Sequence, residues 1–182
     1  MKKIAILFSG KGSNFAHIVK MLHRQELEVV VALTNNPEAE GIKIAHQADI
    51  PLEVVDSKNF ESREVFDAAI VQRLQPYAAD LTVLAGFMRI LTPVFTEAIH
   101  AINLHPSLLP RHKGLHAIEK SYNDTFSTGG VSVHWVSSEL DGGEIILRKE
   151  VAKEGLDFES YDKKIRKIEK EALAEAIRKV LS

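Results

Sequence analysis

Short, almost wholly apolar runs alternate with segments of helical periodicity from the first residues onward, and this alternation leaves few folds open. Lys2 to Ser9 (K-K-I-A-I-L-F-S), Leu27 to Asn35 (L-E-V-V-V-A-L-T-N) and Leu81 to Phe87 (L-T-V-L-A-G-F) read as strands buried on both faces of a parallel sheet, and Pro51 to Asp56 as a further strand. Between them, Phe15 to Arg24 sets Phe15, Ile18, Val19 and Leu22 at helical spacing, Gly41 to Ala48 is a short helix, and Glu61 to Gln75 turns Val65, Ala69, Ile70 and Leu74 inward. Repeated strand and helix alternation requires a parallel sheet with right-handed crossovers. Downstream, His116 to Asn123 is helical. Gly129 to Ser137 alternates as a strand, with Ser132 and His134 on one face and Val131, Val133 and Trp135 on the other. After the turn Glu139-Leu140-Asp141-Gly142-Gly143, Glu144 to Val151 closes an antiparallel hairpin at the sheet edge. Phe158 to Leu181 is a long helix with Ile165, Ile168, Leu173, Ile177 and Leu181 as its buried stripe. The expected fold is α/β: a Rossmann-like, doubly wound, mostly parallel sheet with an antiparallel C-terminal edge hairpin and helices on both faces, in a single domain over residues 1–182.

Composition narrows the function classes. With 182 residues, 45% hydrophobic and 26% charged, the chain suits one globular domain with a full core. A formal charge of -2 provides no basic field for a polyanion, so no nucleic-acid partner is expected. The absence of cysteine excludes disulfides, thiolate chemistry and Cys-ligated zinc. The apolar start, Ile4 to Phe8, is too short for a membrane span or a secretory signal, so a cytoplasmic protein without a membrane partner is expected.

Two stretches carry polar chemistry at strand ends. Ser9-Gly10-Lys11-Gly12-Ser13-Asn14 is a glycine turn between strand and helix, where the helix N–H groups and small side chains suit a phosphate or other anion. It lacks both the G-x-G-x-x-G spacing and the G-K-[ST] ending of nucleotide loops, and a tight turn with a Ser or Asn cap accounts for it equally well. Ala101 to Gly114 reads A-I-N-L-H-P-S-L-L-P-R-H-K-G. Asn103 and His105 lie two apart on one face of a strand that Pro106 ends. An amide able to donate to a developing oxyanion beside an imidazole able to move a proton suits acyl-type transfer, and a strand-terminating turn that satisfies backbone groups is the alternative. Met88-Arg89-Ile90-Leu91 follows directly on its own strand. Residues beyond the carboxyl ends of parallel strands line the ligand crevice, so this run should border one cleft with Asn103 and His105; Arg89 could face solvent or a ligand. Asp141 sits at a loop tip, where turn formation is its plainest role.

Together these residues resemble the folate-dependent formyltransferase family. The likeness rests on Ser9 to Asn14, on Leu84-Ala85-Gly86-Phe87-Met88-Arg89-Ile90-Leu91, on Asn103-Leu104-His105-Pro106-Ser107-Leu108-Leu109-Pro110, and on Ser132-Val133-His134 through Glu139-Leu140-Asp141-Gly142-Gly143, in family order. The resemblance implies transfer of a formyl group from 10-formyltetrahydrofolate to the amine of glycinamide ribonucleotide, in purine synthesis, by direct transfer. It implies Asn103, His105 and Asp141 as the catalytic trio, with Asn103 stabilising the oxyanion and His105 moving the proton. It implies further that the substrate phosphate lies on Gly12, Ser13 and Asn14. The folate is implied to lie against Met88, Arg89, Ile90 and Leu91 and the loop Ser137, Ser138, Glu139, Leu140 and Asp141, with Arg63 nearby and Asn103 also in contact. A carboxylate beside an imidazole favours the imidazolium, the task that falls to Asp141 if the fold brings it to His105. Glu169 matches a late-helix glutamate that the family places near the substrate amine, although Lys170 follows it where the family carries His, and the family's Tyr-Pro is missing nearby.

The partners so implied are small molecules, with no metal, and the protein is expected to be a monomer or weak homodimer. A formyltetrahydrofolate hydrolase or another folate-dependent formyltransferase is the alternative. A zinc site on His105, His112 and His116 lacks an H-E-x-x-H, and Pro110 and Gly114 interrupt any helix across it. Ser107 has no nucleophile elbow around it. A non-catalytic sugar-phosphate sensor would have no use for the acid-base trio.

Overall fold

A computed structural model describes Met1–Ser182. Seven strands form one sheet in the order β3-β2-β1-β4-β5-β6-β7, with helices around it: β1 (Lys2–Phe8), β2 (Leu27–Thr34), β3 (Leu52–Val54), β4 (Leu81–Leu84), β5 (Ala101–His105), β6 (Thr128–Trp135) and β7 (Ile145–Ala152). β1 runs parallel to β2 and β4, and β2 parallel to β3, while β6 and β7 pair antiparallel. The Rossmann-like, doubly wound order and the C-terminal hairpin are those expected. The chain divides into two compact units, residues 1–102 and 103–182.

In the first unit the apolar runs behave as buried strands. Ile4 to Phe8 are fully buried, and β1 meets β4 at Ile4–Leu81 through Leu7–Leu84. The strand order reverses beside β1, and the segments that follow β1 and β4 therefore lie at the switch point where open α/β sheets bind ligands. Helix α1 (Ser13–Met21) packs Phe15 on Phe8, with ring centroids 5.2 Å apart. Helix α2 (Ile42–Gln47) leads towards β3. Helix α3 (Arg63–Leu74) is capped by Ser62, whose hydroxyl accepts from the Val65 N–H at 3.2 Å. Its buried face is Phe66, Asp67, Ile70 and Leu74, not the expected set: Val65 is 54% exposed, one residue and about 100° off that face. A four-residue helix, α4 (Pro93–Thr96), was not anticipated. It starts where Asp67, buried on α3, accepts from the backbone N–H and the hydroxyl of Thr92, each at 2.7 Å.

In the second unit, α5 (Ala117–Asn123) and α6 (Phe158–Leu181) pack with the hairpin. Asp157 caps α6 by accepting from the Ser160 N–H at 2.8 Å. The buried face of α6 runs through Tyr161, Ile165, Glu169, Ala172, Leu173, Ala176 and Ile177. Ile168 and Leu181, expected in the stripe, are only half-buried at its margin, while Tyr161 and Glu169 are part of it. No helix is long and apolar enough to cross a membrane.

His23 joins the end of α1 to β2, its Nδ1 accepting from the Val29 N–H at 3.0 Å. Burial first, and then the charge of Arg24, lowers its pKa, with Glu28 opposing. Above its unfolded pKa the ring is neutral in both states. As pH falls below that value the unfolded chain binds the proton more readily, so stability declines until the folded pKa is passed. Urea denaturation of wild type and His23→Gln across this mildly acidic range should show a steeper loss in wild type.

Candidate active site

The first unit builds one half of the predicted machinery around Ser9. Its N–H donates to Gly86 O at 3.0 Å, and its hydroxyl donates to Asn35 Oδ1 at 2.6 Å and accepts from the Met88 N–H at 2.8 Å. The Asn36 amide donates to Ser9 O at 3.3 Å. One small hydroxyl thereby ties together the chain segments after β1, β2 and β4. Gly12 follows at φ 75°, and a Cβ there would lie 3.1 Å from both Gly41 Cα and Ile44 Cδ1, so the loop needs glycine for conformation and for space. The Ser or Asn cap of the alternative reading is not made: Gly12 occupies the cap position and no side chain caps α1. Ser13, exposed, and Asn14, half-buried, form its first turn. Beyond β4, Gly86 takes φ 78°, Met88 and Ile90 are 65% and 48% exposed, and Leu91 is buried. Arg89 faces inward over Phe66, its guanidinium carbon 4.7 Å from the ring centroid. Arg63 is exposed at the start of α3.

The second unit brings Asn103, His105 and Asp141 into one cluster, together with His134. His105 Nε2 lies 2.8 Å from His112 O, and a carbonyl only accepts, so Nε2 carries a proton. Its Nδ1 faces Asp141 Oδ2 at 3.4 Å. Asp141 Oδ2 also accepts from the Gly114 N–H at 2.9 Å, and Oδ1 lies 3.6 Å from His134 Nε2. Asn103 Nδ2 lies 3.3 Å from the same His134 nitrogen, whose partner Nδ1 donates to Trp135 O at 2.9 Å. Burial alone would raise the pKa of Asp141. The His134 ring, the Gly114 N–H and the positive charge available on both histidines outweigh burial and hold the carboxyl below its ordinary value. Asp141 is therefore ionised although its side chain is only 6% exposed. The turn it was read as forming is present, with Asp141 at φ 51°, but its side chain is turned in.

The loop after β5 is pinned from beneath. Ser132 donates to Ser107 O at 2.7 Å and accepts from the Leu109 N–H at 3.0 Å, Arg148 donates twice to Leu109 O at 2.8 and 3.2 Å, and Ser107 donates to Arg111 O. Ser107 is fully buried in this role. The loop Ser137 to Leu140 lies outside: Ser137 and Glu139 exchange local bonds, Lys113 reaches Glu139 at 3.2 Å, and Ser138, Glu139 and Leu140 are exposed. Glu169 is buried on α6, 3.4 Å from Arg166 Nη1. His134 and Ser132 carry one signal in the sequence, their alternation with Val131 and Val133 along a strand that is buried except at its two ends. His112 is a loop residue and His116 the cap residue before α5, at φ 52° and 58°. No group of three or more His, Asp or Glu side chains has metal-binding geometry.

Replacing Ser132 by alanine leaves a buried N–H and a buried carbonyl without their partner. Unfolding in urea should report a loss on the order of 2 kcal/mol, well beyond that of a surface serine.

Residues 2–177 match the family described as formyl transferase. The chain is 42% identical to the phosphoribosylglycinamide formyltransferase of Haemophilus influenzae over 155 residues, covering 83% of this chain and 73% of that protein. It is 39% identical to the Escherichia coli protein of that name over 152 residues, covering 81% and 72%. The crystal structure of phosphoribosylglycinamide formyltransferase from Campylobacter jejuni superimposes with a TM-score of 0.97 at 47% identity, covering 100% of this chain and 98% of that one. With its seven-stranded sheet and a match over nearly its whole length, the chain belongs to the formyl transferase family.

Proposed function

We propose that this protein transfers a formyl group from 10-formyltetrahydrofolate to the amine of N1-(5-phospho-D-ribosyl)glycinamide, the activity its relatives are named for, as a step of purine biosynthesis. The observation that carries the reading is the ionised, buried Asp141 held against His105, with Asn103 joined to the same cluster through His134. Such a group can stabilise negative charge and move one proton, which is what amine attack on a formyl carbon demands.

The folate donor supplies the formyl carbon. Asn103 directs an amide N–H to the formyl oxygen as charge develops there. His105, in its charged form beside Asp141, adds positive charge to that oxygen. Its Nδ1 proton, held by Asp141 at 3.4 Å and thus more loosely than Nε2–H by the His112 carbonyl, is the one released to the departing folate nitrogen. The imidazole then takes up the proton shed by the attacking amine, so no net proton is consumed at the enzyme.

Gly12, Ser13 and Asn14 take the substrate phosphate. What supports this is an α1 start with no capping side chain, a glycine that lets the backbone approach, and the positive end of the helix dipole. Folate contacts are assigned to Met88, Arg89, Ile90 and Leu91, of which Met88 and Ile90 expose apolar surface, and to the Ser137–Leu140 loop, where Leu140 does; exposed Arg63 offers a cation for the folate tail. Glu169 is assigned to the substrate amine. The reading includes a single formyltransferase domain over 1–182, a cytoplasmic setting, small-molecule partners, and a monomer or weak homodimer.

Incubation with both substrates should release tetrahydrofolate only when the nucleotide is present; folate breakdown to formate without it would indicate a hydrolase instead. His105→Ala should lower kcat by roughly 100-fold or more, and Asp141→Asn should lower it while changing the shape of the pH profile. Gly12→Ala should raise KM for the nucleotide more than it lowers kcat, since its Cβ meets Gly41 and Ile44 and strains the phosphate loop in the first unit, while Asn103, His105 and Asp141 lie in the second.

A further inference from the structure

Outside the trio, the second unit holds a cluster of titratable side chains that the chemistry above leaves unused. Lys153, just past β7, donates to Asp124 Oδ1 at 2.7 Å and to the carbonyls of Ser121, Tyr122 and Asp124 at 2.8, 3.4 and 3.2 Å, which gathers the C-terminal end of α5. The other oxygen of Asp124 lies 2.7 Å from His112 Nε2, and the Phe126 N–H donates to Oδ1 at 2.9 Å. Burial would raise the Asp124 pKa, but the bonds from Lys153, His112 and Phe126 and the Lys153 charge outweigh it, so the carboxylate is a fixed anion.

His112 is therefore held by its side chain, and its backbone shows what that hold accomplishes. It sits at φ 52°, a conformation a non-glycine residue keeps only when its surroundings over-determine it. Its carbonyl accepts the hydrogen bond of His105 Nε2–H at 2.8 Å. The path from Lys153 through Asp124 to the His112 ring ends, through the His112 backbone, on the imidazole that faces Asp141.

We propose that Asp124 and His112 are positioning residues for the proposed catalytic histidine: their hydrogen bond fixes the His112 carbonyl, which confines the first proton of His105 to Nε2 and leaves Nδ1 for the proton that moves. An imidazole whose Nε2 is not held in this way exchanges tautomers and ring orientations, and Nδ1 then carries the first proton part of the time. The inference rests on the formyl-transfer reading for its kinetic consequence, though not for the tautomer itself.

The test uses the full chain, labelled with 15N-histidine. Long-range 1H–15N spectra at alkaline pH report the tautomer of His105, assigned by difference against His105→Gln. Wild type should show the Nε2–H form. His112→Ala and Asp124→Ala should show a mixture, and kcat for formyl transfer should fall roughly tenfold or more with KM for both substrates changed less than about twofold. His112→Gln, which keeps a donor at the reach of Asp124, should restore both the tautomer and most of kcat. The proposal is overturned if either alanine variant, folded by its thermal transition, keeps the Nε2–H form, or if the tautomer changes while kcat does not. Should Asp124→Ala not fold, the His112 pair of variants decides, since they alter one loop side chain. If wild type transfers no formyl group, the function proposed above fails, and the tautomer spectra alone decide this inference.

Discussion

Asp141 carries a negative charge in surroundings that bury nearly all of its side chain, and much of the second unit is arranged to tolerate it. An ionised carboxylate taken out of water is costly unless hydrogen bonds and opposite charge replace its hydration. The Gly114 N–H, His134 and His105 do this from three segments: the loop after β5, strand β6 and the end of β5 itself. Removing any of them leaves the charge under-compensated, so the carboxylate holds the loop in place as firmly as the loop holds the carboxylate. The exposed Lys113–Glu139 pair nearby is a different case, since water already solvates both ends and the contact adds little.

The first unit reaches a comparable result with neutral groups. Ser9 exchanges bonds with Gly86, Asn35, Asn36 and Met88, so the chain segments that leave three adjacent strands are held in register by the hydroxyl, N–H and carbonyl of one residue. A small, neutral residue suits a place where Gly12 must also let a ligand approach the backbone, because a charge there would compete with the anion the helix start attracts. Asp67 secures the far end of the same stretch by accepting twice from Thr92, just beyond Leu91. The exposed Met88 and Ile90 are thus carried on a segment fixed at both ends, which keeps apolar side chains in water without letting them collapse onto the core.

Much of the architecture was legible in the chain, because it depends on local periodicity. Ile4 to Phe8, with no polar residue among them, can be satisfied only by burial on both faces, and the strand formed there. The errors have a common cause. Val65 and Ile168 are apolar residues at nearly correct spacing, and which side of a helix is buried was decided by neighbours such as Phe66, Asp67 and Glu169, two of them charged, that pattern reading places in water. A buried Asp or Glu becomes favourable only when a distant group answers it, as Thr92 answers Asp67, and no local pattern announces that partner.

The same division holds at the site. Asn103, His105, Gly12 and the turn around Asp141 were determined by the sequence itself, since strand alternation puts the amide and imidazole on one face and only glycine suits the left-handed turn before α1. The inward turn of Asp141, the bridging place of His134, the pinning of the loop by Ser132 and the hold of Asp124 on His112 were decided only by the tertiary structure. Each of these is a contact between residues far apart in the chain. Its strength comes from desolvation, and desolvation exists only once the strands have packed.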